Sequence, residues 1–154
     1  MSTNILEVAA RSEWQSGLQT HNRIRNFNPV VMDEPAELGG QNQGPNPLEY
    51  LVASLNGCKG VMIPLIANEL NFEFSDLSFD TRGTVDLRGL MGEPGISTHF
   101  QSLTFQVDIK TRESSERLQA LQNAVAERCP VYNLLRDAGV VLHTQWLMNG
   151  KPVS

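Results

Sequence analysis

The chain has 154 residues, 40% hydrophobic and 19% charged, a balance that suits a globular fold and excludes a disordered or fibrous one. A net charge of -5 with no basic cluster argues against nucleic acid as a partner, and a chain of this length buries a core without disulfide or metal staples. The opening Met1-Ser2-Thr3-Asn4-Ile5-Leu6-Glu7 lacks the basic and apolar regions of a secretory leader, and no apolar run nears about 18 residues, so the expectation is a single cytoplasmic domain over 1–154 with no membrane contact.

From about Val8 to Met32, short β-favouring pieces broken by Ser16-Gly17 and Asn28-Pro29 predict a small meander of strands. A polar loop rich in glycine and proline follows, through Asp33-Glu34-Pro35 and Gly39-Gly40-Gln41-Asn42-Gln43-Gly44-Pro45. Then the period changes. Leu48, Leu51, Val52, Leu55, Val61, Met62 and Leu65 recur at three- and four-residue steps, predicting a helix with one buried face, Asn46 as its N-cap and Pro47 at its first position. Pro64 is expected to kink or end the first part of that helix. Alternation in Phe72, Phe74, Leu77 and Phe79, and again in Leu103, Phe105, Val107 and Ile109, predicts two strands around a long Gly-rich loop, Arg88 to Ser97. Ser114 or Ser115 caps a second helix, with Leu118, Leu121 and Val125 on its inner face. Cys129-Pro130 breaks that helix and starts a shorter one to about Arg136, closed by Gly139, before a last strand from Val140 to Leu147. Strands, long helix, strands, two helices and a strand make an α+β chain.

Two cysteines, Cys58 and Cys129, carry the chemical interest; with His21, His99 and His143 they match no zinc spacing, so neither metal nor cofactor is expected. Cysteine attacks as thiolate, so an active one sits where negative charge is favoured. Cys129 opens a helix, beside its unpaired N–H groups and positive dipole end. Cys58 lies several turns inside its helix, on a face shared with Leu51, Leu55 and Met62, and needs a cation from elsewhere. Taken alone, a buried cysteine on an apolar face is a small hydrophobe, and spacing does not bring the two thiols together.

The segments Asp33-Glu34-Pro35, Leu38-Gly39-Gly40, Gly44-Pro45-Asn46-Pro47-Leu48-Glu49-Tyr50, Leu55-Asn56-Gly57-Cys58 and Cys129-Pro130-Val131-Tyr132-Asn133 stand in an order and spacing that resembles the OsmC/Ohr family of osmotically inducible and organic-hydroperoxide-resistance proteins, over about residues 8 to 147. The resemblance implies an α+β fold of antiparallel sheets around a long central cysteine-bearing helix, in an intertwined homodimer with sites at the subunit interface. It also implies that Cys58 is peroxidatic and becomes a sulfenic acid, and that Cys129 resolves it as a disulfide. An arginine from the N-terminal strands then serves the peroxidatic sulfur; Arg25 is the first candidate and Arg23, on the same side of a strand, the second. In the peroxidase branches a glutamate ten residues before that cysteine holds the arginine, and here Leu48 occupies its place. Glu49 stands one residue late, on roughly the opposite face from Cys58, where it either serves through an irregular first turn or acts at the surface and the helix dipole.

Two functions follow. One is a thiol peroxidase reducing organic hydroperoxides, recharged by a dithiol donor such as a lipoyl protein. The other is a non-enzymatic dimeric stress-response module that binds a small apolar ligand, with both cysteines as core filler. Nucleophilic hydrolysis ranks below both, since no Gly-x-Ser-x-Gly elbow is present.

Overall fold

The structure is a computed structural model that describes residues 4–153, in which Met1–Leu51 and Val52–Ser154 form two compact units. Residues 1–3, where the stretch examined for a leader begins, and residue 154 lie outside the described residues.

In the first unit the expected meander is present as β1 (Arg11–Ser16), β2 (Gln19–Arg23) and β3 (Val30–Met32), antiparallel throughout. Gly17, at φ 53, makes the turn between β1 and β2, a backbone state that glycine adopts without steric cost. All six residues of β1 are exposed. The Gly/Pro-rich loop is organised by Asp33, which is 1% exposed and accepts from the backbone N–H groups of Glu34 at 2.8 Å, Gln41 at 3.2 Å and Gln43 at 3.2 Å. Burial pushes its carboxyl up, but the three N–H donors outweigh that and hold it below the ordinary 3.8.

Helix α1 (Pro47–Glu69) starts as predicted. Asn46 Oδ1 accepts from Glu49 N at 2.8 Å while Glu49 Oε2 accepts from Asn46 N at 2.7 Å, a reciprocal capping box. The helix runs on through Pro64 to Glu69, so of the kink or end expected there the end does not occur; the buried Ile63, Ile66 and Ala67 around the proline offset the roughly 3 kcal/mol that a missing donor and ring clash cost. The buried stripe is also rotated: Leu55, Lys59, Ile63 and Ile66 are inside, while Val61 is 64% and Leu65 47% exposed. Apolar residues lie all round this helix, so its period did not single out one face. By length and composition alone α1 is long and apolar enough to cross a membrane, although Glu49, Asn56 and Lys59 interrupt any continuous apolar run.

The second unit holds a four-stranded sheet in the order β4 (Asp76–Thr84), β5 (Ser102–Lys110), β6 (Val141–Met148), β7 (Lys151–Pro152). β4 begins later than predicted. Phe72 and Phe74 precede it, and the Phe72 N–H is taken by the Ala67 carbonyl at 2.8 Å in closing α1. The Gly-rich loop contains a short helix, α2 (Leu87–Leu90), capped by Asp86. In β5 the alternating Leu103, Phe105, Val107 and Ile109 are all buried, as the period demanded. Helices α3 (Ser115–Arg128, N-cap Ser114) and α4 (Pro130–Asp137) follow, with Leu118, Leu121 and Val125 at 0% exposure. They form the crossover that makes β5 and β6 parallel, the one departure from all-antiparallel sheets.

Candidate functional site

Cys58 and Cys129, 71 residues apart in sequence, meet: the Cys129 Sγ–H donates to Cys58 Sγ at 3.1 Å. Both thiols are free, Cys129 fully buried and Cys58 half-buried. Three ties hold the elements that carry them. Thr81 Oγ1 on β4 donates to Asn56 Oδ1 on α1 at 2.6 Å. The Phe79 ring faces α1 at Gly60 with room for an ordinary contact, and Arg128, just before Cys129, makes a forked pair with Glu69 at 2.5 and 3.0 Å. That pair is about half exposed, so it fixes geometry more than it adds stability.

Cys129 is at once the C-cap of α3 and the N-cap of α4. Burial raises its pKa first, and the bond to Cys58 adds to this; the Tyr132 N–H and Lys59 pull the other way without reversing it. With its pKa raised, the thiol keeps its proton and directs it at Cys58. Of the pair, Cys58 is therefore the sulfur that accepts, and also the one that a solute can approach.

A buried cation beside the pair went unread in the sequence although it is the residue after Cys58. Lys59 is 2% exposed, with Nζ 4.1 Å from the centroid of the Tyr132 ring and 5.5 Å from that of Phe105. Each ring face attracts an ammonium by about 0.5–2 kcal/mol. Burial lowers the Lys59 pKa, and the charges of Cys129 and Cys58 act to raise it. The overlooked signal was spacing: Leu55, Lys59 and Ile63 stand four apart on one face, and a lysine in such a row is a buried charge.

The other expected site residues belong to the first unit. Arg23 ends β2 and is exposed. Arg25 is not on a strand: it lies in the following turn at φ 50, its guanidinium 4.7 Å over the Phe27 ring, and so the pair do not share a strand face. Glu49 is engaged in the capping box at the start of α1. Substituting Asn46 by alanine removes that box and its 3.1 Å bond to Glu34 Oε2, with an expected loss of about 1 kcal/mol, read as a lower urea midpoint at unchanged slope. Among the described residues no cluster of metal-ligating side chains occurs.

The sequence profile described as OsmC-like protein matches residues 40–144, more than half of the chain. The chain belongs to the OsmC-like protein family. Its fold is that of an OsmC-like protein from Mycoplasma pneumoniae (15% identity, TM-score 0.80, covering 96% of this chain and 99% of that one). Two structures named as organic hydroperoxide resistance proteins are also similar. The one from Legionella pneumophila has 19% identity and a TM-score of 0.74, covering 94% of this chain and 99% of that one. The one from Elizabethkingia anophelis has 16% identity and a TM-score of 0.71, covering 96% and 98%. At these identities the likeness establishes the fold. No curated protein sequence matches the chain.

Proposed function

We propose that this protein is a thiol-dependent peroxidase that reduces organic hydroperoxides in defence against oxidative stress, its 154 residues one OsmC-like domain. The observation that carries the reading is the 3.1 Å approach of a buried, proton-donating Cys129 to the more accessible Cys58. In the first step the Cys58 thiolate attacks the terminal peroxide oxygen, the O–O bond breaks, and the alkoxide takes a proton to leave as alcohol, with Cys58 oxidised to sulfenic acid. In the second, Cys129 attacks that sulfur, water leaves, and the Cys58–Cys129 disulfide forms. A dithiol donor, a lipoyl protein for example, returns the pair to thiols, and no cofactor takes part. The names of the relatives support the substrate class.

A cytoplasmic homodimer suits these features. A thiol pair that cycles between free and bonded forms suits a reducing compartment, where a disulfide is more often catalytic or sensing than architectural. A strand with all six residues exposed, Trp14 at 70% among them, and the exposed Val61 and Leu65 on α1 offer apolar surface for a second copy to cover. In the arginine role that the family resemblance implies, Arg25 and then Arg23 remain the candidates. To test the chemistry, a substoichiometric alkyl hydroperoxide is added and unreduced peptides are weighed. A Cys58–Cys129 bridge, or a Cys58 sulfenate trapped by dimedone, is the expected product, and neither species appearing would sink the reading.

A further inference from the structure

We propose that Lys59 is a positioning residue for the redox pair: its buried ammonium is the counter-charge that keeps Cys58 a thiolate, and it gives up its proton as the disulfide forms. This rests on the peroxidase reading above and assigns the charge within that site.

The case is geometric. Lys59 follows Cys58 on α1 and is 2% exposed, and none of the ion pairs among the described residues includes it. An isolated buried ammonium is costly and needs an anion or becomes neutral. Around it, α4 contributes the Tyr132 ring at 4.1 Å and β5 the Phe105 ring at 5.5 Å, neither an anion at neutral pH. The titratable groups that face it are Cys58 on its own helix, Cys129 at the α3–α4 junction and Tyr132 on α4, and the charges that act on it are those of the two sulfurs. Burial holds Cys129 as a thiol, which leaves Cys58 to carry the charge in the proposed pair. The two aromatic faces hold the ammonium by their quadrupoles without neutralising it, which leaves its charge to the sulfur.

The proton count closes. Cys58 thiolate, Lys59 ammonium, Cys129 thiol and one alkyl hydroperoxide become the Cys58–Cys129 disulfide, Lys59 amine, one alcohol and one water, with the peroxide reduced and the two sulfurs oxidised. No proton is drawn from solvent. Re-reduction by a dithiol returns both protons, one to Cys129 and one to Lys59.

Haloacetamide alkylation of Cys58 against pH, in a Cys129→Ser background, reports the thiolate without any peroxide. Lys59→Met is expected to raise the midpoint by one unit or more, which slows alkylation at neutral pH about tenfold, and Lys59→Arg to restore it. A folded Lys59→Met protein with the wild-type midpoint overturns the proposal. A measurement on the wild-type protein stands even if the variants fail to fold: the Lys59 ζ-nitrogen NMR signal is titrated in the thiol form and after oxidation by diamide. Its midpoint is expected to fall by one unit or more on oxidation, and equal midpoints in the two forms overturn the proposal. Neither measurement uses hydroperoxide, so a protein that fails the peroxide test but passes these retains the Lys59 assignment and loses the peroxidase one.

Discussion

Replacing Cys58 by serine is expected to abolish hydroperoxide reduction, by about 10⁴-fold or more, as removal of a nucleophile does where the remaining groups act only through it. A hydroxyl has a far higher pKa than a thiol and does not ionise beside Lys59. Serine is close in size, and Cys58 is only half-buried, so the fold is expected to persist. Cys129→Ser is expected to behave differently. One equivalent of hydroperoxide is consumed and the protein stops as the Cys58 sulfenate, because the partner 3.1 Å away is gone. Hydroperoxide consumption, followed beside circular dichroism as a fold control, separates these outcomes. Undiminished turnover by folded Cys58→Ser protein would overturn the assignment of Cys58 as nucleophile, whereas absence of turnover in the wild-type protein would favour the passive binding module.

The largest expected effect on stability is at Phe105. It is 2% exposed in the middle of β5, with its ring 5.9 Å from that of Phe79 and beneath the Lys59 ammonium. Phe105→Ala is expected to cost about 3–5 kcal/mol through lost transfer energy and the cavity left behind. For a chain of this size that lowers Tm by roughly 10 °C, measured by thermal unfolding. Phe105→Leu, which keeps most of the volume, should cost well under half of that. A fall of only two or three degrees in the alanine variant would mean that the strand does not pack as described.

Periodicity made the second unit legible. Leu103, Phe105, Val107 and Ile109 on β5, and Leu118, Leu121 and Val125 on α3, are inside because each element has one apolar face and a clear cap. The same logic failed on α1, where Leu48 to Leu65 offers apolar residues in every direction, and the face that became core carries Lys59 instead of Val61 or Leu65. Local chemistry identified Asn46 and Gly139 and narrowed the cap of α3 to Ser114 or Ser115, of which Ser114 serves, since a cap depends on its own few neighbours. The meeting of Cys58 and Cys129 depends on how β4, β5 and the α3–α4 crossover bring distant segments together. That pairing was available only as an implication of family resemblance. Arg25 was misplaced for a related reason: an alternating Arg-x-Arg stretch reads as strand, but the chain had already turned at Ile24, with the Phe27 N–H donating to the Ile24 carbonyl at 3.3 Å.

The spacing of the two sulfurs sets the mechanical character of the cycle. A disulfide bond is about 2.05 Å long, so closing it from 3.1 Å moves the atoms by about 1 Å, within the reach of side-chain rotation. No helix has to unwind for Cys129 to arrive, and the hinge that it would use, the break between α3 and α4, is already built into the thiol form. In the proposed peroxidase cycle the oxidised and reduced forms are expected to be nearly superimposable, with the speed left to chemistry and to the arrival of peroxide and reductant rather than to a slow rearrangement of the chain.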